Sequence, residues 1–199
     1  VTPDRIIASV SYSDRSDNHF SLFYQGYRGG SSYTYQYYGD FNGDNIAYDV
    51  MYIPKDDTEI NFASQSDHDR YWAYADQDAY LSTHKGQYAE AYSVYSPWVN
   101  RFDFRFAHDF VVNIGKSRNT LQLNLDFMNV GNLFNSTWGV SKILSTEAMS
   151  GRILQLDSIN EQGVPVFKTR VSEGAQTWDY NHAIGQCWSL QIGIKYLFN

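Results

Sequence analysis

The sequence contains one cysteine, Cys187, in 199 residues. One thiol allows no internal disulfide and no cysteine-based zinc site, so disulfide-stapled and zinc-ribbon scaffolds are both excluded. Cys187 falls at a polar-face position of the final strand pattern, where a packing role is expected. Long apolar runs are missing too. No stretch approaches 18 residues, so no transmembrane helix is expected. The mean hydropathy of −0.48 does not exclude a membrane barrel, because apolar and polar residues alternate along barrel strands and the average cancels. Positive charge is in short supply, with 15 Lys and Arg against 22 Asp and Glu and a net charge of −7. Phosphate recognition wants a basic surface, so no nucleic-acid partner is expected. No secretory leader opens the chain. Val1-Thr2-Pro3-Asp4 reads as the middle of a protein, and a processed signal or a larger N-terminal part is expected.

Aromatic residues are plentiful, with 17 Tyr against 3 Met, and strand and turn formers dominate, which favours an all-β fold. The clearest pattern closes the chain. Trp188, Leu190, Ile192, Ile194, Tyr196 and Phe198 alternate with Ser189, Gln191, Gly193, Lys195 and Leu197. Such alternation fits a strand that crosses a bilayer with one face in lipid and one in a wet lumen. The same pattern predicts strands at about 4–13, 19–38, 98–114 and 119–130, with the last at 186–198. In the third, Phe102, Phe104, Phe106, Phe110, Val112 and Ile114 share a face, broken by Asn100 and His108. Arg101, Asp103, Arg105 and Asp109 lie opposite as candidate lumen charges, able to pair across neighbouring strands.

Short connections at 13–18 and 115–119 alternate with long ones at 39–97 and 131–185. Outer-membrane barrels have short periplasmic turns and long outer loops. The expected fold is therefore an antiparallel transmembrane β-barrel segment of about five strands, belonging to a larger barrel. Five strands do not close a bacterial barrel, which takes an even number of roughly eight or more. The partner strands are expected in a missing N-terminal segment or in another chain. Residues 39–97 read as a polar, irregular loop with short helices within 67–90. Tyr33, Tyr35 and Tyr37 read as the second strand continuing into an aromatic girdle. The second long loop is expected to hold a hairpin, 153–158 and 164–171, turning at 160–163.

Several stretches resemble the end of TonB-dependent outer-membrane receptors of the Oar-like type found in Bacteroidetes. They are Asp4-Arg5-Ile6-Ile7-Ala8-Ser9-Val10-Ser11-Tyr12, Ser21-Leu22-Phe23-Tyr24, Asp40-Phe41-Asn42-Gly43-Asp44 and Tyr52-Ile53-Pro54-Lys55-Asp56. Pro97-Trp98-Val99-Asn100-Arg101-Phe102-Asp103, Asn119-Thr120-Leu121-Gln122-Leu123 and Asn129-Val130-Gly131-Asn132-Leu133-Phe134-Asn135 continue the resemblance in order. It implies a barrel of about 22 strands enclosing a plug, contact with TonB through a segment outside these residues, and uptake driven by the inner-membrane proton gradient. It also implies cell outer-membrane localisation with large loops facing the exterior, and Phe198 with its alternating neighbours as the signal read by the barrel-assembly machinery. The implied partners are the rest of the barrel and plug and the outer-membrane lipid.

Asp40-x-Asn42-x-Asp44 has the oxygen-ligand spacing that opens an EF-hand loop, with Asp49 nearby. Asn45 and Met51 stand where that loop has Gly and Glu. The segment reads either as a Ca²⁺ site or as a turn whose side chains bond their own backbone; no other cofactor is expected. His68, His84 and His108 lie among carboxylates without metal spacing. No nucleophile elbow or phosphate loop is present, so no enzyme is expected. The alternative class is a non-transporting outer-membrane or soluble aromatic-rich β-protein, acting as an adhesin, a glycan or peptide binder, or an assembly partner. The strand faces separate the two. A buried Leu121, Leu123, Leu125, Phe102, Phe104, Ile192 and Ile194 would mark a soluble protein, and an outward apolar band a membrane one.

Overall fold

The computed structural model describes residues 4–29 and 32–198. Val1-Thr2-Pro3, Gly30-Ser31 and Asn199 lie outside the described residues, and with them part of the expected 19–38 strand. The chain is mostly β, with antiparallel sheets, and no helix is long and apolar enough to cross a membrane. It divides into two compact units. The first comprises 1–29, 97–141 and 180–199, and the second 30–96 and 142–179.

The first unit is one open antiparallel sheet. Its strands are β1 (Arg5–Ser13), β2 (Asn18–Arg28), β3 (Trp98–Ile114), β4 (Ser117–Met128) and β5 (Ser189–Phe198), hydrogen-bonded in sequence order. The register aligns the alternating patterns across all five strands. Tyr12 pairs with Phe20, Phe20 with Phe106, Phe106 with Leu125, and Leu125 with Ile192. Residues paired across a sheet point to the same side, so one face is predominantly apolar, interrupted by Asn100 and His108. The β3–β4 turn is tighter than 115–119: β4 begins at Ser117 and Gly115 takes a positive φ of 64°, a conformation suited to a residue without Cβ.

The last strand begins at Ser189. Ile184–Gln186 is a short 3-10 turn, and Trp188 precedes the strand. The second strand ends at Arg28, ten residues short of the expected limit at 38. Tyr33, Tyr35 and Tyr37 alternate in sequence, yet they belong to the second unit. Tyr35 is fully buried there, so these tyrosines line a core and not a girdle.

Nor are the two long connections irregular, since together they build the second unit. The expected hairpin forms as Leu154–Ile159 and Pro165–Thr169. Its turn is held by the Asn160 side chain, which accepts hydrogen bonds from the Gln162 and Val164 backbone N–H groups. Tyr37–Tyr38 and Asn61–Phe62 add to its two sides in parallel, giving a four-stranded sheet. Helix α1 (Gln65–Gln77) packs on the hairpin strand Pro165–Thr169. Ser64 caps α1, accepting from the Asp67 N–H while its hydroxyl donates to the Asp67 carboxylate at 2.6 Å, a reciprocal variant of the capping box. Tyr71, Tyr74 and Ala75 sit at helical spacing and form its buried face.

Among the described residues, the buried apolar residues of the sheet are only Val99 and Ala107, and the connected hydrophobic core lies in this unit. Its large members are tyrosines. Tyr37, Phe41 and Phe167 form a stacked trio with centroids 4.3–5.8 Å apart. Tyr33 donates to the Tyr35 hydroxyl, which lies 3.4 Å from that of Tyr74. Burial pushes the Tyr37 phenol up to about 12 and Tyr35 and Tyr74 up as well, so the core stays neutral across the physiological range.

Two buried aspartates at the ends of α1 tie the two connections together. Asp67 accepts from the Thr169 N–H at 3.0 Å and from Arg70 at 2.6 Å. Asp78 accepts from Tyr80 and Leu81 N–H at 2.9 and 2.8 Å, and from the Thr177 hydroxyl at 2.7 Å. Asp78→Ala leaves buried donors without acceptors and is expected to destabilise this unit by about 2–3 kcal/mol, measurable as a lower urea midpoint followed by tyrosine fluorescence.

Burial raises the Asp67 carboxyl, but the Ser64 hydroxyl, the Thr169 N–H and the Arg70 guanidinium outweigh it and hold Asp67 below the ordinary carboxylate range. The unfolded chain therefore takes up this proton first as pH falls. The Asp67 contribution is fully present above about pH 4 and is lost as pH drops through the lower folded value. Asp67→Asn is expected to flatten stability against pH in that acid window, as read by urea midpoints at a series of pH values.

Candidate functional site

The sheet's two faces differ in chemistry. On the apolar face Ile192 and Ile194 are 64% and 72% exposed, and Leu121 is 44%. Leu123, Leu125, Phe104 and Phe106 are half-buried at the centre of the same face. Aromatic residues gather toward both ends of the strands. Tyr12, Tyr196 and Phe198 lie near the short turns, and Tyr24 and Trp98 near the long connections. The two breaks in the pattern are answered by polar partners on the same face. Asn100 accepts from the Tyr24 hydroxyl at 2.8 Å and the Trp98 indole at 3.0 Å, and His108 lies 2.8 Å from the Asn18 amide oxygen. Gly26 sits beneath this aromatic pair. A Cβ there would meet the Tyr24 hydroxyl at 2.4 Å and the Trp98 ring at 2.7 Å.

The opposite face is polar and internally paired. Arg101 lies 3.5 Å from Asp103 along β3, and Arg105 lies 3.5 Å from Asp126 across to β4. Arg105 also donates to Asn124 at 2.8 Å. Asp109 accepts from Gln122 at 2.7 Å and faces His19 Nε2 at 3.2 Å. All four candidate lumen residues, Arg101, Asp103, Arg105 and Asp109, are thus engaged on one face. Of the six apolar residues from Trp188 to Phe198, Leu190, Ile192, Ile194 and Tyr196 pair with Leu121–Phe127, Phe198 lies opposite Asn119, Trp188 precedes the strand, and Tyr196 donates to Asn119 at 2.5 Å.

Asp40, Asn42, Asp44 and Asp49 do share one loop. Asp40 accepts from the Gly43 and Asn45 N–H groups, and Asp44 from the Ile46 N–H. Asp49 accepts from the Phe41 N–H and the Asn42 amide. The arrangement is a set of side-chain-to-backbone turns. Among the described residues no group of three His, Cys, Asp or Glu side chains is placed to hold a metal ion. His84 stacks on Tyr80 at 4.0 Å. His68 lies between Asp69 and Asp57, 2.8 and 3.0 Å away. The Asp69 hydrogen bond raises its pKa, against the effect of burial and with help from Asp57. His68 lines a shallow cleft of about 330 Å³ with Lys55, Asp56, Asp57, Trp72 and Lys85. Cys187 is a free, exposed thiol.

Asn129–Asn135, at the end of β4, is an anchor as well as a strand end. Asn129 is fully buried in the left-handed region, with φ 50° and ψ 50°, a conformation asparagine tolerates better than most residues. Its N–H donates to Asp103 at 2.6 Å and its amide to the carbonyl of Gln186 at 2.7 Å. Helix α2 (Val130–Phe134) follows. Asn132 donates to Ser136 and accepts from the Trp188 N–H. The motif therefore fastens the end of β4 to the entry of β5. Gly139 lies so close that a Cβ would overlap the Asn129 amide, and its own φ is 66°.

Gly139→Ala is expected to displace Asn129 and impair assembly more than Asn129→Ala, which loses its side-chain hydrogen bonds at a cost of about 1–3 kcal/mol. Thermal unfolding of the two purified variants orders them, and equal stability to wild type in Gly139→Ala would contradict the packing. No protein-family model, curated protein or solved structure matches the chain.

Proposed function

We propose that the five-stranded sheet is a sector of an outer-membrane β-barrel, with its apolar face in lipid and its charge-paired face toward a water-filled lumen. The observation that carries this reading is the inverted polarity of the sheet, whose apolar side is exposed while its polar side is internally paired. The dimensions agree. From Leu190 to Phe198 the strand climbs ~27 Å at ~3.4 Å per residue, or ~20 Å when tilted by ~40°, close to the ~25 Å apolar band of such barrels. Paired aromatics with hydrogen-bonded polar tips near both ends suit the two membrane interfaces.

Both long connections leave from the strand ends Arg28, Trp98, Met128 and Ser189, and both short turns lie at the other end. On this reading the chain of the second unit emerges on the cell exterior, where it contacts ligand. The resemblance to Oar-like receptors supports assigning the whole assembly as a TonB-dependent receptor that binds or takes up a ligand. The rest of the barrel and plug come from outside these strands, TonB contact is made there, and β5 is presented to the assembly machinery.

The alternative is a soluble aromatic-rich β-protein, which requires a further protein layer over the apolar face. Fractionation separates the two. The protein is expected in the outer-membrane fraction and to need detergent for extraction. Ile192→Lys, on the lipid face near mid-membrane, is expected to cost about 2–4 kcal/mol and to lower its level there. Recovery of wild type without detergent, or normal membrane levels of the variant, would overturn the membrane reading.

A further inference from the structure

Several cations of the second unit are held in ion pairs. Lys85 is bound to Asp76, Arg70 to Asp67 and Lys168 to Asp157. Arg152 and Arg170 differ. Among the described residues neither has a carboxylate within ion-pair distance, and each lies on the face of an exposed tyrosine. The Arg170 guanidinium is 3.5 Å from the centroid of Tyr38, and that of Arg152 is 5.6 Å from Tyr48. Tyr38 and Tyr48 are 45% and 67% exposed. Arg170 also donates to the Arg152 backbone carbonyl at 3.0 Å, which ties its side chain to the backbone of the second arginine. The acids nearest in sequence, Asp40, Asp44 and Asp49, are turned onto backbone N–H groups of their own loop.

A guanidinium over an aromatic ring presents its in-plane N–H donors at the ring's edge, and the donors that Arg170 does not spend on the Arg152 carbonyl, with those of Arg152, match the two oxygens of a planar carboxylate or of a sulfate. Stacking also lowers the entropy lost on binding, because the side chain is already oriented. The tyrosine rings beside each arginine offer the apolar edge and hydroxyl that sugar rings use. We propose that Tyr38, Tyr48, Arg152 and Arg170 form a binding patch for an anionic polysaccharide, each arginine taking one acidic group on neighbouring sugars. Two arginines on a chain of net charge −7 favour a sugar chain held through a few acidic groups over a nucleic acid, whose binding demands many phosphate contacts. The patch lies wholly within the second unit, so the inference stands independently of what covers the sheet.

The test is titration of the full chain, in detergent, by calorimetry with oligogalacturonate, dextran sulfate, neutral dextran and a single-stranded thymidine oligomer. Binding of oligogalacturonate identifies carboxylate as the recognised group, and binding of dextran sulfate alone identifies sulfate. In either case Arg152→Gln and Arg170→Gln are each expected to weaken binding at least tenfold while neutral dextran gives no heat. Arg170 holds a backbone carbonyl, so its variant is checked by thermal unfolding. Arg152 donates no side-chain hydrogen bond among the described residues, and its variant keeps the test decisive. Failure of both polyanions to bind, unchanged affinity in Arg152→Gln, or equally tight binding of the thymidine oligomer would overturn the proposal.

Discussion

The structure depends on one constraint. The five-stranded sheet has no buried apolar side among the described residues. In a soluble sheet the apolar face packs and the polar face is solvated. Here Ile192 and Ile194 are open, while arginines and aspartates across the sheet are paired with one another. The backbone ladders hold neighbouring strands together, but they do nothing for the large apolar surface that the register gathers on one side. That surface must be covered by something other than this chain's own core. Lipid covers such a face without requiring matched shape, whereas a protein layer would have to interdigitate with phenylalanines and isoleucines across five strands.

The second unit meets the opposite constraint. It is assembled from two segments far apart in sequence and has a closed core. Tyrosine supplies much of that core. Its ring gives apolar area, and several of its hydroxyls are paired, Tyr33 with Tyr35 and Tyr80 with the Glu90 N–H, while the buried Tyr71 hydroxyl has no partner among the described residues. The buried aspartates act alongside it. Asp67 and Asp78 each accept from both segments, so the helix that joins them is held at both ends by charge-assisted bonds. A unit stabilised in this way presents arginines and tyrosines on its surface from fixed positions.

The sheet was legible in the sequence because alternation maps directly onto its two faces, and short turns between alternating runs imply antiparallel neighbours. The pairing of the last strand with Leu121–Phe127 follows from the same logic. The second unit was not legible for a related reason. Period two in Tyr33, Tyr35 and Tyr37 is the same signal in a membrane strand and in a short core segment, and the Gly29-Gly30 pair at the change of unit interrupts the pattern without showing that the chain leaves the sheet. Helix α1 has a buried face that includes Asp67, which breaks the apolar stripe that helix recognition relies on. Its stabilising partners, Thr169 and Thr177, stand about a hundred residues away. The hairpin at 154–169 was visible because Asn160 and Gly163 are strong local turn signals.

Strand direction constrains what completes the sheet. Five antiparallel strands in sequence order place β1 and β5 at the two edges, both running the same way. Each edge offers unpaired N–H and C=O groups, and in lipid every such group left open costs several kcal/mol. An antiparallel neighbour on each edge must run opposite to both. A closed, fully antiparallel barrel therefore needs an odd number of further strands between β5 and β1, beginning and ending in the same direction. A second copy joined head to tail would instead set β5 beside a parallel β1, breaking the alternation at every junction. The completing strands on the proposed reading thus form a different, odd-numbered set, and β5 is the strand on which the last of their ladders closes.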